Sequence, residues 1–367
     1  MAIGGGTWTA QNKVLPGTYI NFVSSATASL MGDRGIASLP LELNWGKEGM
    51  ITMDAAEFNR EAMKVLGYSA TSAELLLVRE ALKRAKQLKI YRVNGDGSKA
   101  TTAVGTVTIT AVCAGTRCND IKIVCQNNVD NENKFDVLTY LGTTLMDRQT
   151  VATGDELQTN DFVSFTAGAL EITAGINLAG GSNGSVEGQK YADYLSALEV
   201  ENFNTFGYPG TDSTIKALFT AFVKRMRDED GKKVILVVSN YAADHEGIIN
   251  VVNGVVLTDG TVIDATKAVA WVTGASAGAQ INQSLTNTTY DDSVDTNIKY
   301  TSSQYETMLK EGKFVFYSND GKASVLRDIN TFVSFEPRKG IDFSDNKIVR
   351  VMDSWATDNA YVFNNYY

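Results

Sequence analysis

One short run of the sequence carries a motif that could do chemistry. Residues 274–278 read G-A-S-A-G, which matches the G-x-S-x-G turn that presents a nucleophilic serine in α/β-hydrolases. A nucleophile at Ser276 would need a strand before it, a helix after it and a histidine further along the chain. The only histidine in the sequence, His245, lies upstream. A triad in another chain order stays open as an alternative, because the same geometry recurs on unrelated folds.

The residues around Ser276 are also typical of a packed helix. Asp264 is a suitable N-cap for a helix that runs through the motif. Small and apolar residues then recur at helical spacing and share one face: Ala265, Ala268, Val269, Val272, Ser276 and Ala279. Gly274, Ser276 and Gly278 are small enough to let another backbone approach closely. The pattern therefore favours helix packing over nucleophilic catalysis.

His245 follows an apolar run, VILVVS, which is typical of a buried parallel strand. Such strand ends are where α/β folds bind ligands, so Asp244, His245 and Glu246 could supply acid–base or metal-binding groups. The same run, ADHEG, is also typical of a helix start, where acidic side chains suit the positive end of the helix dipole. We expect the helix start.

The cysteines and the glycine clusters indicate no further site. Cys113, Cys118 and Cys125 have the spacing C-x4-C-x6-C, which differs from the paired spacing of a zinc knuckle. Cys113 and Cys125 are in phase with apolar strand residues, so we expect structural thiols. The runs GGGTWT and GGSNGS lack the features of a phosphate-binding loop. We therefore expect no catalytic residue, no cofactor and no metal.

Composition narrows the class of protein. The 367 residues carry a formal net charge of -9, which argues against a dedicated nucleic-acid binder because such proteins present a basic patch. No apolar run approaches the roughly 20 residues that a spanning helix needs, so no membrane insertion is expected. The first residues lack the charged and apolar regions of a secretory signal, so we expect the chain to start in a cytoplasm.

Changes in the spacing of apolar and polar residues divide the chain into four parts. Residues 1–25 resemble an extended arm, and residues 97–185 contain short alternating strands typical of a small all-β sandwich or barrel. Residues 26–96 and 186–367 alternate helices and strands. The predicted fold is therefore a mixed α/β (α+β) core interrupted by a β domain, with an N-terminal arm.

Local signals predict several elements within that core. Asp54 and Glu57 indicate a capping box for a helix that ends at Gly67, and Thr71 with Glu74 repeats the starting signal for a second helix. A later helix is expected to end near Gly231. Its buried face is predicted to hold Ile215, Leu218, Phe219, Phe222, Val223 and Met226. Asn319, Asp320 and Gly321 predict a hairpin turn.

The predicted arm is rich in residues that favour extended structure and needs a surface to pair with. The residues that we expect to act in assembly are Trp8, Leu15, Pro16, Gly17, Tyr19, Ile20 and Phe22.

Several segments, taken in order, resemble the sheath proteins of contractile phage tails and R-type bacteriocins. They include VLPGTYINFVS, LEVENFNTFGYPGTD, VKRMRDEDGKKVILVV, AVAWVTGASAGAQINQSLT, EGKFVFYSNDGKASVLRDINTFVSFEPRKG and NKIVRVMDSW. The resemblance covers nearly the whole chain. It implies a structural subunit that stacks in sixfold rings around a tail tube, and that contracts to drive the tube through a cell envelope.

The resemblance also implies partners and a location. The subunit is expected to contact copies of itself, the tail tube protein, and the baseplate and tail terminator proteins, and to bind no nucleic acid. Terminal arms of the family add strands to a neighbour's sheet, which suits residues 1–25, and β insertions face outward, which suits residues 97–185. Assembly is expected in the bacterial cytoplasm, followed by release as part of a phage tail or bacteriocin particle.

Members of the family continue beyond the last residues of this chain with more core and a C-terminal arm. We therefore expect this chain alone to be monomeric or weakly associated in dilute buffer. The alternatives are another tail tube or baseplate component, a serine hydrolase using Ser276, and a carbohydrate-binding role for the β domain.

Overall fold

The computed structural model describes residues 34–366. All the arm residues predicted to act in assembly, from Trp8 to Phe22, lie outside this range. Within residues 34–366, no helix is long and apolar enough to cross a membrane.

The first part of the core contains three strands and two helices. They are β1 (Ile36–Leu41), β2 (Gly49–Asp54), α1 (Ala55–Leu66), α2 (Leu76–Leu82) and β3 (Gln87–Arg92).

Seven strands then form a β-sandwich. They are β4 (Thr101–Val104), β5 (Val107–Ala111), β6 (Ile121–Asn127), β7 (Phe135–Leu141), β8 (Thr144–Val151), β9 (Val163–Phe165) and β10 (Thr173–Asn177). One sheet has the order β10-β6-β7-β8 and the other has the order β4-β5-β9. Alternate side chains of both sheets, among them Ile109, Ile123 and Val137, fill a common core. The predicted all-β insertion is thus a sandwich.

The second part of the core holds the remaining elements. They are α3 (Gly188–Glu199), β11 (Thr205–Tyr208), α4 (Ser213–Asp228), β12 (Ile235–Ser239), β13 (Ile248–Val251), β14 (Val255–Leu257), β15 (Val262–Ile263), α5 (Ala265–Gly278), β16 (Ser293–Thr296), α6 (Ser302–Lys310), β17 (Lys313–Phe314), β18 (Phe316–Asn319), β19 (Lys322–Val325) and α7 (Asn346–Tyr366).

A seven-stranded sheet joins the two parts of the core in the order β17-β13-β12-β11-β1-β3-β2. All neighbouring strands are parallel except β2, which runs antiparallel to β3. The apolar run predicted to be a central parallel strand is β12, and all five of its residues are buried. Helix α5 packs on one face of this sheet, while Phe219 and Val223 of α4 share an apolar cluster with Leu236 and Val238 of β12.

The sandwich is fastened to the core by Trp45 and Arg92. The ring of Trp45 belongs to the sandwich core and lies 5.7 Å from the ring of Phe162. The buried guanidinium of Arg92 donates to the carbonyl oxygens of Gly46 at 2.6 Å and of Ala114 at 2.8 Å. Hydrogen bonds to a charged donor are stronger than neutral ones, so this contact holds the sandwich at the end of β3.

Most predicted local signals coincide with element boundaries. Asp54 and Glu57 form a capping box, and Gly67 ends α1 with a φ of 76°. The hairpin between β18 and β19 turns at Asp320 and Gly321, whose φ angles of 49° and 73° suit a type I′ turn.

The prediction that Thr71 caps the second helix was wrong. A 3-10 turn over Ala73–Leu75 precedes α2, and Ser72, at its N-terminus, makes no side-chain cap. The Ser72 hydroxyl instead lies 2.8 Å from the Ser69 hydroxyl, so it is engaged with its own loop.

The prediction for α4 was wrong at Leu218, which is 36% exposed because it points away from the sheet that buries Phe219 and Val223. The predicted end near Gly231 agrees with the structure: α4 ends at Asp228 with Glu229 as its C-cap, and Gly231 follows with a left-handed φ of 72°.

Candidate functional site

Helix α5 lies between the central sheet and α2, and its glycines allow the close crossing with α2. A Cβ atom added to Gly274 would lie 2.1 Å from the carbonyl oxygen of Ala81. One added to Gly278 would lie 2.0 Å from the carbonyl oxygen of Arg84. Both distances are far below contact range, so no larger residue fits without moving a helix.

Ser276 faces the sheet side of this crossing. Its side chain is fully buried, and its Oγ accepts a hydrogen bond from the Thr205 hydroxyl at 3.4 Å. Ser276 sits in the last turn of α5, which starts at an Asp264 cap. A nucleophile elbow requires the serine at a sharp turn from strand to helix, with its hydroxyl exposed. The geometry of Ser276 therefore gives no support to a hydrolase.

The predicted helix start at His245 was wrong. Residues 240–247 contain no helix, and Asp244 adopts a left-handed φ of 47°. The Asp244 carboxylate accepts hydrogen bonds from the backbone N–H groups of Val333 and Ser334. The turn is thus held by a distant segment of chain, and a left-handed residue cannot open a helix.

Asp228, His245 and Glu246 form a polar cluster at this turn, with one ligand atom of each within 4.8 Å of the others. The arrangement does not fit a metal site. His245 Nδ1 accepts a hydrogen bond from the Gly247 N–H at 3.0 Å, so the single proton of the neutral ring must lie on Nε2. Nε2 is the atom that faces Asp228 and Glu246, at 3.5 and 3.7 Å. A protonated nitrogen cannot bind a metal ion.

Burial lowers the pKa of His245, and the nearby Glu246 and Asp228 carboxylates only partly oppose this. Because the unfolded chain then binds the proton more readily, we expect stability to be complete above pH 6.5 and to fall as the pH drops towards 5. His245 is the only histidine, so a His245→Asn variant is expected to lose this slope. Urea unfolding of the wild type and of His245→Asn between pH 5 and 8 measures this pH dependence of the free energy of unfolding. A wild-type stability that stays constant or rises as the pH drops through this range would contradict the expectation.

The cysteines offer no reactive thiol. Cys118 and Cys125 are fully buried, Cys113 is half-buried, and all three are free. Burial raises the pKa of each thiol. Raised pKa values keep the groups protonated and unreactive at neutral pH.

An apolar groove lies beside β17, the last strand at one edge of the central sheet. The groove has a volume of about 500 Å³ and runs between α6 and residues 329–344. Its apolar lining residues are Leu309, Ile329, Phe332, Val333, Phe335 and Ile341. The side chains of Phe335 and Ile341 are 49% and 60% exposed. Exposed apolar residues that are gathered in one place mark a surface for a partner.

Three family models match consecutive parts of the chain. They describe the N-terminal region of domain III of the tail sheath protein Gp18 over residues 34–93, the β-sandwich domain of phage tail sheath proteins over residues 95–183, and their central domain over residues 184–331. The chain is also 40% identical to the protein YqbK of Bacillus subtilis, over 96% of this chain and 81% of that protein.

The crystal structure of a sheath tail protein from Desulfitobacterium hafniense is 48% identical, with a TM-score of 0.88 over 96% of this chain and 84% of that one. This chain belongs to the phage tail sheath family. The contracted sheath of an extracellular contractile injection system shares the fold at 8% identity, with a TM-score of 0.52 over 97% of this chain and 75% of that one.

The phage tail sheath family is a family of structural proteins, which agrees with the buried position of Ser276. The sequence did not lead us to predict the groove of this sheath protein. The available signal is the run FVSFEPRKGI at 332–341, where apolar residues alternate with polar ones beside a proline and a glycine. Such a run predicts an exposed apolar loop, but which element it faces depends on the tertiary fold.

Proposed function

We propose that this sheath subunit assembles with copies of itself into sixfold rings, stacked helically around a tail tube, and that the assembled sheath contracts to drive the tube through a cell envelope. The observation that carries the proposal is the apolar groove beside the edge strand β17. An edge strand offers unpaired backbone groups, and a neighbouring groove offers pockets for alternate side chains. Together they suit the addition of an extended strand.

The N-terminal arm of a neighbouring copy is the proposed occupant. Ile20 and Phe22, two residues apart and so on one face of an extended strand, would supply apolar side chains to the groove, while Gly17 would allow the turn after Pro16. Because the arm of one copy enters the groove of the next, the contact is heterologous and generates a helical assembly.

Contraction is proposed to move subunits as rigid bodies joined by these strands. The close crossing of α5 over α2 at Gly274 and Gly278 supports this, because a core without free volume transmits force instead of deforming. The sandwich, on residues 97–185, is proposed to face outward. The tail tube, baseplate and tail terminator are the proposed partners, with assembly in the bacterial cytoplasm. A small decrease in free energy per subunit, summed over the sheath, would supply the work of contraction.

A double substitution in the groove tests the proposal. Phe335→Ser with Ile341→Ser removes two apolar side chains that would become buried between copies, each contributing about 1.5–3 kcal/mol. We expect self-association to weaken at least tenfold. Sedimentation velocity over a concentration series measures it, and negative-stain microscopy of crowded samples shows whether helical polymers form.

Val129→Ser is the matched control, since Val129 is 88% exposed on the sandwich, far along the chain from the groove. It should associate like the wild type. Equal association of the groove variant and the wild type would refute the role of the groove. Absence of helical polymers at every concentration would count against the sheath function of this chain.

A further inference from the structure

One wall of the apolar groove is anchored on the turn that carries His245. The groove wall, residues 331–335, supplies three of the apolar residues that line the groove. The His245 turn, residues 244–247, holds this wall through its first residue. The Asp244 carboxylate accepts hydrogen bonds from the backbone N–H groups of Val333 and Ser334, at 2.8 and 3.0 Å.

Two further contacts join the groove wall to the same turn. The buried Thr331 hydroxyl accepts from the His245 N–H at 3.1 Å and donates to the His245 carbonyl oxygen at 3.0 Å. The Lys339 ammonium lies 2.6 Å from the Glu246 carboxylate and 5.0 Å from the centre of the Phe332 ring. The position of the groove wall therefore depends on the conformation of the turn.

The turn is closed by an unprotonated ring nitrogen. His245 Nδ1 accepts from the Gly247 N–H at 3.0 Å, the backbone group that an asparagine side chain reaches in an Asx-turn. Gly247 is fixed in place, because its carbonyl oxygen accepts from the Leu236 N–H at 2.8 Å and an added Cβ would lie 2.4 Å from Arg227 Cδ. A doubly protonated imidazole has no acceptor atom. The protonated ring must therefore leave its position, which opens the turn.

The charged groups that face His245 come from three segments. Asp228 and Arg227 belong to α4, Glu246 belongs to the turn, and Lys339 follows the groove wall. Burial and the two cations oppose a proton on the ring, whereas the two carboxylates favour it. Burial is the largest of these effects, so the closed turn binds the proton more weakly than an open turn does.

The carboxylates that hold the wall keep their charge in the range where the imidazole titrates. Burial works against ionisation of Asp244 and Glu246, but hydrogen bonds from Ser334 and Lys339 help to outweigh it, and both pKa values are lowered. Both groups therefore remain ionised above about pH 5. His245, the only histidine of the chain, is the group of this turn that changes charge between about pH 5 and 8.

We propose that the His245 turn is a pH-sensitive switch, which holds the groove wall in place while the imidazole is neutral and releases the wall when the imidazole takes up a proton. The closed turn binds the proton more weakly, so it is fully stable above about pH 6.5 and opens as the pH falls. The switch is a property of the single subunit, whereas its effect on assembly rests on the proposed function of the groove.

Hydrogen–deuterium exchange of the wild type at pH 7.5, 6.5 and 5.5, at a concentration too low for association, tests the switch. Rates are compared with those of an unstructured peptide at the same pH, which removes the intrinsic pH dependence of exchange. We expect protection of Val333 and Ser334 to fall by up to about tenfold for each pH unit below 6.5. Strand β1, at the centre of the sheet, should stay unexchanged over the same period and so report an intact core.

Two substitutions separate the proton from the hydrogen bond. His245→Asn keeps an acceptor for the Gly247 N–H but cannot titrate, so its groove wall should be protected at all three pH values. His245→Ala has no acceptor, so its wall should exchange rapidly even at pH 7.5. An unexchanged β1 in both variants is expected to show that they fold.

Wall protection that is constant from pH 7.5 to 5.5 in the wild type, or that falls equally in His245→Asn, would overturn the switch. Sedimentation velocity at pH 7.5 and 5.5 then tests its effect on assembly. At pH 5.5 we expect the wild type to associate more weakly than His245→Asn, which carries every other titrating group. A wall that opens as expected without loss of association would leave the switch standing and count against the groove as the assembly surface.

Discussion

Replacing Gly274 with alanine is expected to destabilise this sheath protein by about 2–3 kcal/mol. The direction of this change in stability is the informative result, because it is opposite to that in an open helix. In an open helix the same change stabilises by about 1 kcal/mol, because alanine has the higher helix propensity. Here the new Cβ would lie 2.1 Å from the backbone oxygen of Ala81, and a backbone atom cannot rotate away as a side chain can. Helix α5 must therefore move away from α2.

Urea unfolding of Gly274→Ala beside the wild type measures the change. Gly278→Ala should behave alike, since its Cβ would lie 2.0 Å from the Arg84 oxygen. Gly340→Ala is the control: its φ is -81°, and nothing lies within 4 Å of the added atom. A Gly274→Ala protein as stable as the wild type, or more so, would show that the crossing is loose.

Replacing Arg350 with leucine is expected to lower the free energy of unfolding by about 3–5 kcal/mol. Arg350 and Asp328 are both fully buried, and their side chains meet at 2.6 Å. Asp328 also accepts from the Leu285 N–H and the Asn346 side chain. Removal of the guanidinium leaves the Asp328 carboxylate buried without its main counter-charge.

A second substitution separates charge from packing. Asp328→Asn keeps an oxygen for the Leu285 N–H but removes the charge, so Arg350→Leu with Asp328→Asn should recover part of the lost stability. Arg338→Leu, at an exposed position, should change the free energy of unfolding by less than about 0.5 kcal/mol. A loss below about 1 kcal/mol for Arg350→Leu would contradict a structural role for this pair.

The α5–α2 crossing and the Arg350–Asp328 pair differ in how well the sequence predicts them. The small residues around Ser276 at helical spacing predict a close approach, and the structure places Ala81 and Arg84 against Gly274 and Gly278. Nothing in the sequence identifies α2 as the helix they meet. The pairing of Arg350 with Asp328 has no local signal at all, because both residues sit among other charged residues in ordinary runs.

The sequence by itself determined the elements whose signals are local. The Asp54 and Asp264 caps, the Asp320-Gly321 turn, the apolar strand β12 and the alternating strands of the sandwich all arise within a few residues. Hydrogen bonding and side-chain periodicity act over that range, so their outcome can be inferred without a fold.

Only the tertiary structure decided which faces meet. It set β1 between β3 and β11, turned the run at His245 into a loop held by Val333 and Ser334, and gathered Phe335 and Ile341 into a groove beside β17. These outcomes depend on burial shared between segments that lie far apart in the chain. The sequence next to a residue does not predict such contacts, because the free energy that selects the contacts comes from the whole core.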